Sequence, residues 1–174
     1  MRRVLVSLLL LGGLAAGCAS GPLPAASVRP GMGTPPPAVL QAVTHRWKGA
    51  ALATVPPAAP ACAGRGDSPS PVVTGDFNGD GGADVALIIQ TQDGLKVVAA
   101  LLQTYDYALT DVASTIDLTN AVLSIRRHGE AYRVPDVAVD NYLAADTIVV
   151  TPCGQQPTAY LWTGQNFSPQ PLAS

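Results

Sequence analysis

The side chains best suited to chemistry in this chain are the oxygen donors of one glycine-rich run, Gly75-Asp76-Phe77-Asn78-Gly79-Asp80-Gly81-Gly82-Ala83-Asp84-Val85-Ala86. Asp76, Asn78 and Asp80 recur at every second position, and Asp84 follows after Gly81. Calcium is a hard cation that takes about six to eight oxygens, and alternating positions around a tight turn bring successive side chains to one centre. Gly79 and Gly81 allow the backbone conformations that such a turn demands. The Gly82 carbonyl is placed to add a backbone oxygen, with water completing the shell. An EF-hand begins with the same spacing but needs a bidentate glutamate at its last position, where this chain has Leu87, and helices on both sides. The flanks here read as strands, so an EF-hand is rejected. The alternative is an Asx-rich hairpin turn that holds no metal.

The run resembles the calcium loop of FG-GAP and VCBS-type repeats, Asp-x-(Asp/Asn)-x-Asp-Gly-x-x-Asp followed by an apolar strand. In that family the loop joins two strands of a propeller blade. The resemblance implies Asp76, Asn78, Asp80 and Asp84 as side-chain ligands and Gly82 as a carbonyl ligand to Ca2+. It covers residues 72–90 only. Blades of this kind come in arrays because one blade cannot bury its own faces, and one copy in this length cannot close a propeller. The loop is expected without the propeller fold. The chain also resembles small single-copy bacterial envelope proteins that end in Trp-x-Gly-x-x-Phe, here Trp162-Thr163-Gly164-Gln165-Asn166-Phe167, a group that implies no defined activity. With Asp76, Asp80 and Asp84 ionised, a calcium-loaded site keeps a charge of about −1, which suits the weak extracellular range of ~10⁻⁴ M or looser. A structural staple fits that affinity better than a sensor.

Other chemistry-bearing residues are weaker candidates. His45 and His128 are the only histidines, and neither has a ligand partner at usable spacing. Arg126-Arg127-His128 could touch anionic headgroups, but so short a basic cluster reads better as a solvated turn. Asp136 and Asp140 flank Val137-Ala138-Val139; on a strand they would share a face, and a carboxylate pair can run hydrolysis when one member is buried. A polar strand face is the plainer reading. Arg65-Gly66-Asp67 is the integrin-recognition tripeptide, and it is also ordinary turn composition. No catalytic residue is assigned.

The elements that must position the loop are mostly strands. Val72–Thr74, Val85–Gln90 and Leu95–Gln103 are apolar or β-branched runs bounded by Gly, Asp and Asn. Asp93-Gly94 predicts a hairpin between the second and third of these. Further strands are expected near Val112–Leu118, Val134–Val139 and Thr147–Thr151, with a last hairpin from Thr158–Thr163 through Gly164-Gln165-Asn166 into Phe167. Residues 120–133 read equally as a strand pair or a loop. One short helix is expected after Pro37, with Val39, Leu40, Val43 and Trp47 at helical spacing and Gly49 closing it. The expected fold class is mainly β, a small antiparallel domain with one N-terminal helix.

The chain opens Met1-Arg2-Arg3, runs apolar from Val4 to Leu14, and continues Ala15-Ala16-Gly17-Cys18. This is the pattern of a secretory signal, too short in its apolar part to span a bilayer. The segment Leu14–Cys18 resembles the lipobox of bacterial lipoproteins, with Ala15 where leucine is usual. The resemblance implies cleavage before Cys18, acylation of that cysteine (the usual chains include palmitate) and anchoring to a membrane. Ala19 after the cysteine implies the outer membrane, facing the periplasm. An ordinary signal peptide is the alternative. The division expected is 1–17 signal, 18–36 Pro/Gly-rich tether, and 37–174 one globular domain with the calcium-loop hairpin at 72–90. If Cys18 carries lipid, Cys62 and Cys153 remain as a pair in an oxidising compartment; two free thiols are the alternative. No Cys-x-x-Cys occurs, so neither a zinc ribbon nor a thioredoxin-like site is indicated.

The formal charge of −2 becomes −4 once Arg2 and Arg3 are removed, which argues against a nucleic-acid partner. Glu130 is the only glutamate, and aspartate favours turns over helix faces. The functional expectation is a lipid-anchored envelope protein acting as a non-enzymatic binding or structural module, with an envelope protein as its partner. An inhibitor of an envelope or host hydrolase and an Asp-based hydrolase are the rivals. Oligomeric state is left open.

Overall fold

The computed structural model describes residues 34–54, 70–114, 118 and 120–173. Among the described residues the fold is mainly β: antiparallel sheets with one short helix and no closed propeller. Helix α1 (Pro37–Arg46) starts with proline in its first turn and carries no side-chain cap at Pro36. Proline costs nothing there because the first helical amides lack partners in any case. Val39 and Val43, one turn apart, are its buried residues. The backbone leaves the helix at Trp47 and turns at Gly49, where φ is +76°. Of the expected tether, Thr34–Pro36 are described, and Pro35 is buried, so the tether's last residues dock on the domain.

The first sheet contains β1 (Ala51–Leu52), β2 (Val72–Gly75), β3 (Asp84–Thr91), β4 (Gly94–Leu102) and β5 (Tyr107–Ala113). Its order is β1-β3-β4-β5, with β2 pairing the same edge of β3 as β1 does. Ile88 marks the hand-over: its carbonyl accepts the Ala53 amide, and its own amide donates to Pro71. The second sheet is β11-β10-β9-β6, made from β6 (Ala121–Arg126), β9 (Thr147–Pro152), β10 (Thr158–Trp162) and β11 (Phe167–Pro171). Between β6 and β9 the two-residue strands β7 (Ala131–Tyr132) and β8 (Asn141–Tyr142) form a small separate ribbon. β11 is an edge strand and carries Pro169 and Pro171, which remove ladder donors and blunt that edge.

The two large sheets face one another across the main core. Ala86, Ile88, Val97, Ala99 and Leu101 of the first meet Leu123, Ile148, Val150 and Tyr160 of the second. Alternate residues of β3 and β4 (Val85, Leu87, Ile89, Val98 and Ala100) point the other way and pack beneath Val39 and Val43 of α1. β3 is therefore covered on both faces, which is why Val85–Ile89 reads as an unbroken apolar run. Trp47 closes the rim of the helix layer under Arg46 and Lys96, both of which converge on Asp111.

Two expectations are corrected. The strand expected near Val134–Val139 is absent: Pro135 and Asp136 (φ +64°) break the extended run, which bulges between β7 and β8. The strand expected at Val112–Leu118 begins earlier, at Tyr107, and ends at Ala113. The ambiguous stretch 120–133 supplies β6, which pairs fully with β9, and then β7.

Candidate functional site

The β2–β3 ladder closes at the pair Gly75 and Asp84, and the aspartate loop is the connection between them. Its inner structure follows from carboxylates capping their own loop's amides. Asp76 Oδ1 accepts the amides of Gly79 and Asp80 at 2.8 and 3.1 Å, and Oδ2 accepts Gly81 at 3.0 Å. Asn78 Oδ1 accepts the Asp80 amide at 3.0 Å, while its Nδ2 donates to Asp80 Oδ2 at 2.8 Å. Asp80 Oδ1 accepts Gly82 at 2.7 Å. Gly79 and Gly81 both have positive φ, +78° and +84°, so the turn needs glycine at both positions. At Gly82 the constraint is space: a Cβ there would lie 2.8 Å from Asp80 Oδ1, so the exposed Asp80 side chain would have to shift.

Asp84 has no exposed surface. Its Oδ2 accepts the Phe77 amide at 2.9 Å and its Oδ1 accepts the Leu102 amide at 2.7 Å. One carboxylate thus ties the loop to the end of β4, while Phe77, also fully buried, anchors the loop in the main core. Burial raises the Asp84 carboxyl to about 6; the Leu102 and Phe77 amides oppose this, and Asp80 and Asp76 add to it by repulsion.

The donor set suits a hard cation. Among these oxygens only Asp76 Oδ1 has both lone pairs engaged; the other carboxylate oxygens and Asn78 Oδ1 each accept a single bond. The described residues hold no converged group of His, Cys, Asp or Glu side chains of the kind that forms a ready metal cage. A cation would sit among oxygens that are now directed at amides, and Asp84 is the one whose oxygens point furthest into the protein.

A further set of hydrogen bonds reaches the loop from the other sheet. Asp146, on the β8–β9 connection, accepts the Asp76 amide through Oδ2 at 3.2 Å, and its own amide donates to the Asp76 carbonyl at 2.9 Å. Arg127 donates to Asp146 Oδ2 at 2.6 Å, and the His128 amide donates to Oδ1 at 3.0 Å. Burial works to raise this carboxyl, but the His128 and Asp76 amides and the Arg127 guanidinium outweigh it and hold it below its ordinary value. A cavity of about 290 Å³ lies against this junction, lined by Thr74, Asp76, Gly81, Gly82, Arg127 and Asp146 among others. The Thr74 hydroxyl is buried there without a hydrogen-bond partner.

The remaining candidates disperse. Asp136 and Asp140 do not share a strand face, and Asp140 pairs with Arg133 on the surface. Arg127 is not a solvated turn residue, since it is committed to Asp146. His45 on α1 and His128 after β6 are both exposed and belong to different layers. Cys153 follows β9, is half-buried, and its amide donates to the Asn120 carbonyl at 3.0 Å; the expected pairing with Cys62 falls on a residue outside the described ones. Cys62, Cys18, Arg65-Gly66-Asp67, the expected signal and most of the expected tether lie outside the described residues. Sequence reading missed Asp146. It stands 70 positions from Asp76, and nothing in Ala144-Ala145-Asp146-Thr147 marks it as a partner of the loop.

No protein-family model matches the chain, and no curated protein or solved structure matches it either.

Proposed function

We propose that this chain is a lipid-anchored envelope module whose aspartate loop takes one calcium ion as a structural staple, and that it works by binding or bracing a partner, not by catalysis. The observation that carries this is the buried Asp84, which joins the loop to β4 while Asp76 and Asp80 repel it. A divalent cation among these carboxylates relieves that repulsion and cross-links loop to strand. Asp76, Asn78, Asp80 and Asp84 would hold it by side chain and Gly82 by its carbonyl; when bound, the ion supplies charge neutralisation and rigidity. The anchor rests on Cys18 and the tether on the Pro/Gly-rich stretch after it. A disulfide between Cys62 and Cys153 would close the domain covalently from its start to its penultimate segment.

Calorimetric titration of the full chain in detergent with calcium is the direct test. Saturable heat at millimolar calcium, abolished by Asp76→Ala, is the expected result; no heat would sink the calcium reading. A second reading, an inhibitor presenting a loop to a hydrolase, is supported by the β7–β8 connection. Val137 and Val139 are 46 and 65% exposed there, beside the positive-φ Asp136, and Tyr142 of β8 is 70% exposed. Recovery of a hydrolase from envelope extract that is lost on Val139→Asp would favour it.

A further inference from the structure

We propose that Asp146 is the positioning residue of the aspartate loop, so that cation occupancy of the loop and docking of the two sheets are coupled. The inference rests on the calcium reading above and adds a residue from the opposite sheet to it. Asp76 opens the loop, and Asp146 holds its backbone on both sides: carboxylate to amide, amide to carbonyl. Asp76 lies past the end of the β2–β3 ladder, so its amide and carbonyl are outside that pairing. The Asp146 side chain is only 11% exposed. Its carboxylate also accepts the Arg127 guanidinium and the His128 amide, both beyond β6. The approach is close enough to dictate sequence elsewhere: a Cβ on Gly75 would fall 2.9 Å from Asp146 Oδ2 and 2.8 Å from the Phe77 ring. Residue 75 is glycine at ordinary φ, so space, not backbone conformation, explains it.

Outer-sphere carboxylates of this kind set the orientation of the residues that touch a metal, and their loss weakens metal affinity about 10–100-fold. By reciprocity, calcium in the loop tightens the grip of Asp76 on the second sheet by the same factor. Asp146→Asn keeps the shape but turns one acceptor into a donor facing an amide or Arg127. Arg127→Gln is the milder second variant and leaves the carboxylate in place.

The test uses the full chain in detergent and has two readouts. Calorimetry measures the calcium Kd, and hydrogen exchange in EDTA measures protection of the Gly79, Asp80 and Gly81 amides. The expectation for Asp146→Asn is a Kd raised about tenfold or more and faster exchange of those amides, with Arg127→Gln intermediate in both. A residue with a merely structural role would lower thermal stability while leaving Kd and loop exchange as they were, and that result overturns the inference. A wild-type chain that takes no calcium overturns the reading beneath it instead. In that case faster loop exchange in the variant would still support the positioning role, and unchanged exchange would overturn it too.

Discussion

The Asp84 carboxyl predicts an unusual pH dependence for the metal-free protein. Its pKa is raised to about 6 by burial, against 3.8 as the ordinary value. A raised acid binds its proton more tightly when folded, so between these values the native state carries more protons than the unfolded chain. Stability then falls as pH rises through that window, the reverse of the usual aspartate behaviour. At ~1.36 kcal/mol per unit, the shift of about two units is worth roughly 3 kcal/mol between pH 4 and pH 7. Asp146 does not mask this, because its lowered pKa places its own contribution at more acid pH. Urea unfolding followed by tryptophan fluorescence, in EDTA from pH 4.5 to 7.5, measures the slope directly. Calcium should counter it: with Kd ~10⁻⁴ M, a concentration 100-fold above Kd adds ~2.7 kcal/mol at pH 7. Because the ion competes with the Asp84 proton, about half of that gain would remain at pH 5. A metal-free stability that is flat or rising from pH 4.5 to 7 would refute the argument, as would an Asp84→Ala variant that keeps the wild-type slope.

Three further outcomes are expected. Phe77→Ala removes a fully buried ring between loop and core and should cost ~3–5 kcal/mol in urea unfolding, with calcium recovering only part of it. Cys18→Ser should abolish palmitate labelling and move the protein from the membrane to the soluble fraction. Unfolding in non-reducing guanidinium should expose no thiol at Cys153, and Cys153→Ser should lower stability by ~2–4 kcal/mol.

The strands that flank the aspartate loop were legible because both local signals agreed. Val72–Thr74 and Val85–Gln90 are bounded by Gly and Asp, and β2 and β3 are found there almost residue for residue. The β3–β4 hairpin also forms as expected, with Gly94 entering β4 at φ +118°. The failure at Val134–Val139 has a plain cause: Pro135 removes an amide and Asp136 adopts a left-handed backbone. Within the site, the alternation of Asp76, Asn78 and Asp80 was readable and does curl around one turn. The part played by Asp146 and Arg127 was not, because it depends on how the second sheet lies on the first. Local pattern carries no information about a contact across 70 residues.

The sheet that carries the loop has two faces to cover, and the fold covers them with a second sheet and a helix. In a repeat array each blade is covered by its neighbours. Here the inner face of the β2–β5 sheet is covered by a second, independent sheet, and its outer face by two valines of α1 and the Trp47 rim. The cost of that solution appears where the two sheets meet beside the loop, because no ladder joins them through residues 76–83. Asp84 secures the loop to β4 and Asp146 secures it to the second sheet, so two carboxylates hold the loop at this junction. Both hold main-chain amides, a task that an apolar side chain of the same size cannot perform. The loop is therefore bound into the sandwich before any ion is considered, and calcium would act on a turn whose ends are already fixed.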